Sequence, residues 1–393
     1  MRISRRMLLR RMSAGAAIAA AVPSAAEATL SASLGEPWMT IDAGPLAGPI
    51  RLNRNENPYG PSVKVIATMQ EAARNGANRH PEADVEALRN KIADVHHVTP
   101  EQVVLGSGAS EVLRMAAEAF VGSGGKPGTP GNMIVARPTF GVISAYARRA
   151  GADVVDVPLA RNHSHDLDAM LARTDSATGL IYICNPNNPT GSLTRRQDLD
   201  AWLRALPATT YVLIDEAYHH YVGNSSDYAS FIDRPPGGVD DSRVIVARSF
   251  SKIHGLAGIR IGYAVAAAET ARRLAACALS DDVNVVAARA AVTALDDAEH
   301  VRLGKERNDD DRQEFYNQLN ARMLRAIDSL TNFVMFNTER PAADVVDHFK
   351  KNNVLVSGSI PGFDKYIRVS FGTRAEMQEF WRVWDLMPHK MAM

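Results

Sequence analysis

The chain has 393 residues, of which 46% are hydrophobic and 22% are charged, a composition typical of a globular enzyme with a large core divided into two or three compact units. Its 44 basic and 44 acidic residues give a formal net charge of zero, so no overall positive field indicates a nucleic acid partner. Cys184 and Cys277 are the only cysteines, too few for a disulfide framework.

The first 28 residues have the composition of an export signal. Ser4-Arg5-Arg6-Met7-Leu8 is a twin-arginine pattern, and a weakly apolar stretch and a run of small residues follow it. The apolar stretch is too short to span a membrane. This order predicts a twin-arginine signal peptide over residues 1–28, and therefore a periplasmic or exported protein with no other membrane association. A disordered basic N-terminus, in a protein that stays cytoplasmic, is the alternative.

Residues 29–60 are rich in Gly, Pro and Asn without periodicity, which predicts an N-terminal arm. From residue 103 to 264, short apolar strands alternate with amphipathic helices, a pattern typical of an α/β fold with a mainly parallel sheet covered on both faces. The predicted strands are Val103–Leu105, Met133–Ala136, Val154–Val157, Leu180–Cys184, Tyr211–Ile214, Val244–Ala247 and Ile259–Ala264.

Beyond Ala264 the pattern becomes mostly helical, and short strands then alternate with helices. These strands are predicted at Phe333–Phe336, Val354–Val356 and Tyr366–Ser370. The change in pattern indicates a second, smaller α+β unit. We therefore predict a large domain over residues 61–275 and a small C-terminal domain over residues 276–393.

Two predicted strands end in turns that suit an anion and a flat ring. Gly106-Ser107-Gly108-Ala109-Ser110 follows the first strand and begins a helix, where backbone amides and a hydroxyl bind phosphate well. Phe140 follows the second strand and can stack on an aromatic ring. Either feature alone is more often structural, as a plain turn and as a core side chain.

The next two strand ends carry an amide and an acid. Asn185-Pro186-Asn187-Asn188-Pro189 forms a rigid turn after an apolar strand, and Asn188 can donate a hydrogen bond to a ring oxygen. Asp215 ends the following strand, where a carboxylate is costly to bury unless it is paired. A protonated ring nitrogen is such a partner, and Tyr218 can reach the ring oxygen. An Asp at a strand end is otherwise more often a helix cap.

A lysine follows the strand Val244–Ala247. Most lysines are solvated, but Lys252 stands among Ser, Phe, Ile and Gly, where desolvation and nearby cations lower a lysine pKa. Ser249, Ser251 and Arg260 can complete a phosphate cradle. Arg368 lies within a predicted strand and suits bidentate binding of a substrate carboxylate, although a buried ion pair explains it equally well.

Together these residues predict a pyridoxal 5'-phosphate site. That cofactor needs a lysine to hold it as a Schiff base, an acid beside the ring nitrogen, donors to the ring oxygen, a flat partner and a phosphate cradle. In a parallel sheet such groups come from loops at the carboxyl ends of strands. The chain offers a candidate for each, with Lys252 as the catalytic residue.

The motifs resemble those of the class I/II aminotransferases of fold type I, most closely the histidinol-phosphate aminotransferase group. The resemblance runs from Leu52-Asn53-Arg54-Asn55-Glu56-Asn57-Pro58-Tyr59-Gly60-Pro61 to Arg368-Val369-Ser370-Phe371-Gly372-Thr373. It implies a large domain with a seven-stranded sheet, a small domain built from both termini, and a homodimer with active sites at the subunit interface.

The resemblance also implies roles for individual residues. Lys252 would bind the cofactor and move the proton. The cofactor ring would be held by Asp215, Asn188, Tyr218 and Phe140, and its phosphate by Ala109, Ser110, Ser249, Ser251 and Arg260. The substrate would be bound by Arg368, Asn188 and Tyr59.

Two positions depart from the family pattern. The family usually has Tyr where this chain has His80, and that Tyr reaches the cofactor phosphate of the neighbouring subunit. His80 can still donate there, or it can be a plain surface residue. Second, the family often has an Arg that binds the histidinol phosphate group where this chain has Ser357, and losing that donor is expected to weaken this substrate.

The leading hypothesis is amino transfer between an L-amino acid, or an amine like histidinol phosphate, and a 2-oxo acid. Decarboxylation and oxygen-dependent oxidation of an amino acid are the enzymatic alternatives, because the same cofactor and scaffold support them. A third hypothesis is an exported binding protein without catalytic activity.

Overall fold

The computed structural model describes residues 48–223, 225–232 and 239–388. The predicted signal peptide and the arm up to residue 47 lie outside these residues. The strands are β1 (Ile50–Leu52), β2 (Val103–Gly106), β3 (Asn132–Arg137), β4 (Asp153–Pro158), β5 (Thr178–Cys184), β6 (Tyr211–Asp215), β7 (Val244–Ser249), β8 (Gly262–Ala266), β9 (Arg325–Ala326), β10 (Phe333–Asn337), β11 (Val354–Val356) and β12 (Tyr366–Ser370).

The helices alternate with these strands in the first half and dominate after β8. They are α1 (Val63–Asn75), α2 (Glu82–His96), α3 (Ala109–Phe120), α4 (Val142–Arg149), α5 (Leu167–Ala172), α6 (Arg196–Ala205), α7 (His219–Val222), α8 (Ala268–Ala275), α9 (Val285–Asp296), α10 (Ala298–Ala321), α11 (Ala342–Lys351) and α12 (Arg374–Asp385). Among the described residues, none of the helices is both long and apolar enough to cross a membrane.

Seven strands form one sheet in the order β2-β8-β7-β6-β5-β3-β4. The strands from β7 to β4 run parallel, and β8 pairs antiparallel with both β7 and β2. Every residue of β5 is buried, as expected for a strand covered by helices on both faces. The predicted α/β class and the mainly parallel seven-stranded sheet are confirmed.

Each face of this sheet carries its own apolar core. On one face, Leu88 and Ile92 of α2 pack with Trp202 of α6 and with the alanines of α9. On the other face, α3, α4 and α8 cover the strands, with Phe120 fully buried. Because helices on both faces hold the strands, the strand ends at the sheet edge are fixed points from which loops project.

A second group of strands joins the two ends of the described chain. β1 pairs parallel with β11, and β12, β10 and β9 form an antiparallel sheet. Their core contains Leu52 from the N-terminal side together with Phe315, Phe349 and Phe380, and the last two rings stack at 4.7 Å. The predicted arm therefore contains a strand, and this strand is built into the C-terminal core.

The predicted boundary between domains at residue 275 stays a prediction. The described residues belong to one compact unit by their contacts. Helix α9 lies after that boundary, but its buried alanines belong to a core of the large sheet.

Candidate active site

A cavity of about 740 Å³ lies where the parallel strands of the large sheet end. Its walls come from the loops after β3, β5, β6 and β7, the start of α3, the segment 53–56, and Arg368 of β12. The predicted residues that line it are Ala109, Ser110, Phe140, Asn188, Asp215, Tyr218, Ser249, Ser251, Lys252, Arg260 and Arg368. The structure thus brings together predicted residues from positions as distant in the chain as Ala109 and Arg368.

Lys252 is part-buried in this cavity and its amine has a defined partner. Its Nζ donates to the backbone carbonyl of Asn55 at 3.0 Å and lies 5.4 Å from the centre of the Tyr218 ring. Burial and the nearby Arg368 lower the pKa of Lys252 to about 8, against the opposing pull of Asp215. A lysine of this kind has a usable fraction of neutral, nucleophilic amine near neutral pH.

Asp215 is 4% exposed and ends β6 at the same cavity. Its Oδ2 accepts from the hydroxyl of Tyr182 at 2.8 Å, and its Oδ1 accepts from the backbone amide of Ala217 at 3.0 Å. Burial raises the pKa of Asp215, while these two hydrogen bonds and Lys252 oppose the rise. The carboxyl group is oriented by two donors and faces a cavity in which a cationic partner would stabilise its charged form.

The predicted phosphate-binding residues lie around the N-terminus of α3. Gly108 has a φ of +82°, and a Cβ at this position would overlap the guanidinium of Arg260. Only glycine therefore allows Arg260 to lie against the turn that begins the helix. Ser249 and Ser251 line the same cavity, and the Ser251 amide donates to Ser249 Oγ at 3.1 Å. A guanidinium, serine hydroxyls and helix N-terminal amides together suit a phosphate dianion.

Arg368 is fixed by two oxygen atoms from distant parts of the chain. Its Nη1 donates to Asn188 Oδ1 at 2.5 Å, and its Nη2 donates to the carbonyl of Asn53 at 2.7 Å. Its Nε is buried without a hydrogen-bond partner. No carboxylate among the described residues forms an ion pair with Arg368, which argues against the buried ion pair considered from the sequence. The orphaned donor is instead available to an anionic ligand.

Tyr218 and Phe140 line the cavity from two further loops. The Tyr218 hydroxyl accepts from Asn55 Nδ2 at 2.9 Å, and burial raises the pKa of Tyr218, so that the phenol stays protonated. Next to Phe140, Thr139 Oγ1 donates to Asn187 Oδ1 at 2.8 Å. This bond ties the loop after β3 to the Asn-Pro segment, and so fixes Phe140 relative to Asn188.

Two predicted site residues do not line the cavity. His80 is exposed in the turn between α1 and α2. Tyr59 lies in a separate hollow, where its hydroxyl donates to Asp311 Oδ2 of α10 at 3.1 Å and its ring lies 5.2 Å from the Arg307 guanidinium. The structure of one chain brings neither residue to Lys252.

Sequence reasoning missed two residues that position the predicted ones. Asn55 is 2% exposed with a φ of +55°, and it contacts Lys252, Tyr218 and Ser370. The sequence feature that could have identified Asn55 is its place in the Asn-rich segment after Leu52. Tyr182, inside an all-buried strand, gives no signal of its own, because a tyrosine there is indistinguishable from a core residue.

Comparison with known proteins decides the family. Residues 47–383 match the family model "Aminotransferase class I and II". The chain belongs to this family. It is 35% identical over 334 residues to a histidinol-phosphate aminotransferase of Moorella thermoacetica, with 85% of this chain and 84% of that protein covered. It is 33% identical over 334 residues to one of Caldicellulosiruptor saccharolyticus, covering 84% and 89%.

The fold comparison agrees. The histidinol-phosphate aminotransferase of Sinorhizobium meliloti, solved in complex with pyridoxal 5'-phosphate, superposes with a TM-score of 0.76 at 25% identity, covering 84% of this chain and 88% of that one. The predicted class I/II aminotransferase, its fold type I architecture and its pyridoxal phosphate dependence are confirmed. The decarboxylase, oxidase and non-catalytic hypotheses are not favoured by these relatives.

The cavity of this chain fits the cofactor by its own chemistry. Lys252 offers an amine of lowered pKa, Asp215 a buried acid, and the surface at Gly108 and Arg260 an anion cradle that a side chain at position 108 would fill. The unpaired Nε of Arg368 leaves a donor for a second anion. When bound, pyridoxal phosphate supplies an electron-withdrawing ring that makes the α-proton of an amino acid removable.

Proposed function

We propose that Lys252 is the nucleophile and the proton carrier of an amino transfer between an L-amino acid and a 2-oxo acid. The observation that carries this assignment is the shared cavity of Lys252 and Asp215, at the ends of two neighbouring strands, in which the pKa of the lysine is lowered to about 8. A buried lysine of this kind can take up a proton from carbon and return it near neutral pH.

The other cavity residues would bind and orient. Asp215, held by Tyr182 and Ala217, would pair with the ring nitrogen, and Asn188 would use its amide nitrogen toward the ring oxygen because its Oδ1 is occupied by Arg368. Arg260, Ser249, Ser251 and the start of α3 would hold the phosphate. Arg368 would bind the substrate carboxylate with its free Nε edge, and so keep the α-carbon near Lys252.

The role of Lys252 can be tested with a variant that lacks its amine and retains the rest of the cavity. A Lys252→Ala protein is expected to lose the visible absorbance of lysine-bound cofactor and all turnover. A Lys64→Ala protein, which loses an exposed lysine that pairs with Asp297, should keep both. A Lys252→Ala protein that turns over at the wild-type rate would disprove the assignment.

The amino donor is a separate proposal. The named relatives suggest histidinol phosphate for this chain. Ser357 carries no charge, and its backbone is bonded in both directions to that of Arg368, so it supplies no charge-assisted donor for a phosphate. A screen of single donors, followed by the cofactor spectrum without an acceptor, will rank histidinol phosphate against amino acids. A preference of 100-fold or more for histidinol phosphate would establish it as the donor.

We also propose that the enzyme works as a homodimer in which His80 contacts the partner's cofactor phosphate. The resemblance supports this arrangement, and so does the exposure of His80 away from its own cavity. Light scattering will give the mass. In a mixed dimer of a Lys252→Ala chain and a His80→Ala chain, one site combines Lys252 of one chain with His80 of the other and should work at the full rate, whereas both sites of the His80→Ala homodimer should be weakened. A His80→Ala homodimer with wild-type activity per site would contradict this role of His80.

Finally, we propose export by the twin-arginine pathway. The support is the order of Arg5-Arg6, an apolar stretch and small residues within 28 positions, all outside the described residues. Fractionation of cells should find the mature protein outside the cytoplasm, and an Arg5→Lys/Arg6→Lys precursor inside it. An unprocessed wild-type chain that remains in the cytoplasm would refute this proposal.

A further inference from the structure

The charges that line the cavity are not all used by the roles proposed above. Lys252 and Asp215 serve the cofactor, Arg260 its phosphate, and Arg368 the substrate carboxylate. Arg54 also lines the cavity, and no hydrogen bond or ion pair to it occurs among the described residues. Arg54 is exposed, and an unpaired guanidinium in a cavity lining can bind an anionic group.

Two neighbouring backbone contacts show at which end of the cavity Arg54 lies. The carbonyl of Asn53 accepts from Arg368, and the carbonyl of Asn55 accepts from Lys252. Arg54 is the residue between them, so its backbone runs from the carboxylate-binding arginine to the nucleophile. It is therefore anchored at the substrate end, whereas Arg260 lies against the phosphate turn at Gly108.

The other charge of this segment is already engaged. Glu56 Oε2 lies 3.6 Å from Arg51 Nε, and the backbone carbonyl of Glu56 accepts from Asn332 Nδ2 at 3.1 Å. Four cationic side chains line the cavity, and three of them, Lys252, Arg260 and Arg368, have proposed roles. Arg54 is the cation of this described lining that has neither an internal partner nor a role.

We infer that Arg54 selects substrates that carry a second anionic group at the end of the side chain. The inference rests on the proposed function, because it assumes that Arg368 binds the α-carboxylate and Lys252 reacts at the α-carbon. An acidic side chain pointing away from Lys252 along segment 53–56 would then meet the Arg54 guanidinium. A carboxylate and a phosphate share this chemistry, and bidentate pairing with Arg suits both.

The experiment compares donors that differ in one charge. The full-length holoenzyme is mixed with L-glutamate, L-glutamine, O-phospho-L-homoserine or L-norvaline, and the half-reaction is followed by the cofactor spectrum. Arg54→Gln should lower kcat/KM about tenfold for glutamate or for the phosphate ester, as expected for a lost charge-assisted contact. The same variant should keep kcat/KM for glutamine and norvaline within twofold of the wild-type values. The acidic donor with the larger loss shows whether the site takes a carboxylate or a phosphate.

Two variants provide the control. Arg74→Gln removes the same charge from an exposed side chain of α1 that does not line the cavity, and it should leave kcat/KM unchanged for all four donors. Arg54→Lys should recover part of the preference for acidic donors. A loss that is equal for charged and neutral donors in Arg54→Gln, or no loss at all, overturns the inference.

The wild type separates this inference from the proposed function. Wild-type enzyme that reacts with glutamine and norvaline but with neither acidic donor overturns the role of Arg54 and leaves Lys252 chemistry intact. Wild-type enzyme that reacts with no amino donor, although cofactor is bound, overturns the proposed function and this inference with it.

Discussion

The amine of Lys252 donates to the backbone carbonyl of Asn55 at 3.0 Å, and so links the loop after β7 to the segment after β1. A carbonyl accepts a hydrogen bond from a neutral amine as well as from an ammonium. The contact therefore holds the amine in place without preventing the drop of its pKa to about 8 that burial and Arg368 produce.

The lowered pKa of Lys252 gives a first prediction. Because only the neutral amine attacks an aldehyde, the rate at which apoenzyme takes up pyridoxal phosphate should rise with pH to a midpoint near 8. The reaction of free cofactor with a lysine peptide, measured in parallel, corrects for titration of the cofactor. Arg368→Gln should move the midpoint upward, since the removed cation lowers the pKa of Lys252. A wild-type rate still rising steeply above pH 9 would contradict the prediction.

A second prediction concerns the donor to Asp215. Tyr182→Phe deletes the 2.8 Å hydrogen bond to Oδ2, which favours the charged carboxylate, so the pKa of Asp215 should rise further. We expect kcat/KM to fall about three- to tenfold, since a hydrogen bond to a charged group contributes about 1.5–3 kcal/mol and part of this is specific to the charged state. Tyr263→Phe deletes a bond from a comparably buried tyrosine to His96, and it should leave kcat/KM unchanged at the same temperature.

Asp215 and Tyr182 show how much of the site can be predicted from the sequence. The residues predicted to bind the cofactor follow apolar strands directly, and parallel strands bring their carboxyl ends to one edge, so the sequence predicts that Lys252 and Asp215 lie close together. Tyr182 has no such signal, because its hydroxyl finds Asp215 only through the register in which Cys184 pairs with Asp215. A register is a property of two strands and cannot be inferred from one.

Local backbone conformation limits the prediction in two other places. The last strand of the sheet is predicted from Ile259 but begins at Gly262, because Arg260 adopts a left-handed φ of +65° that interrupts extended structure. The arm before residue 60 contains β1, which has three residues and pairs with β11 some 300 positions later. So short a strand leaves no periodicity, and its partner is too distant for any local pattern to indicate.

A third prediction tests the backbone at Asn55. Its φ of +55° suits Asn or Gly, and its side chain bonds Tyr218 and Ser370. Asn55→Ala should lower the free energy of unfolding by about 2–4 kcal/mol, from lost buried hydrogen bonds and a left-handed Ala. Asn55→Gly should lose about 1 kcal/mol less than Asn55→Ala, because glycine adopts this φ without strain. Urea unfolding measures both, and equal losses would show that the backbone conformation contributes nothing.

The hollow at Tyr59 gives a fourth prediction, on stability. Burial raises the pKa of Asp311 to about 6, so the folded state binds more protons than the unfolded state between pH 4 and 6. Stability therefore falls as pH rises through this window. Asp311→Asn removes the titration and keeps an acceptor for the Tyr59 hydroxyl. The free energy of unfolding of Asp311→Asn, relative to that of the wild type, should therefore be about 1 kcal/mol higher at pH 7.5 than at pH 4.5, after allowance for solvent screening.

Thermal unfolding at the two pH values checks this prediction. Asp347→Asn alters an exposed carboxylate of α11 that does not act on Asp311, and its stability relative to wild type should not change between the two pH values. If Asp311→Asn instead loses stability relative to wild type as pH rises, the pKa of Asp311 is not raised in the folded state and the prediction is wrong.

The pairing of β1 with β11 has a consequence for biosynthesis. Asn53 and Asn55 follow β1 directly, and they can contact Arg368 and Lys252 only when β11 and β12 exist to hold them. A nascent chain still threaded through the ribosomal tunnel can complete the seven-stranded sheet, but it lacks Arg368 and the strand that seats the N-terminal segment. The strands near the C-terminus thus complete the contacts of the segment that follows β1. A chain that ends after α9 would contain all seven strands of the large sheet and the alanines that complete its core, but it would lack Arg368 and the partner strand of β1.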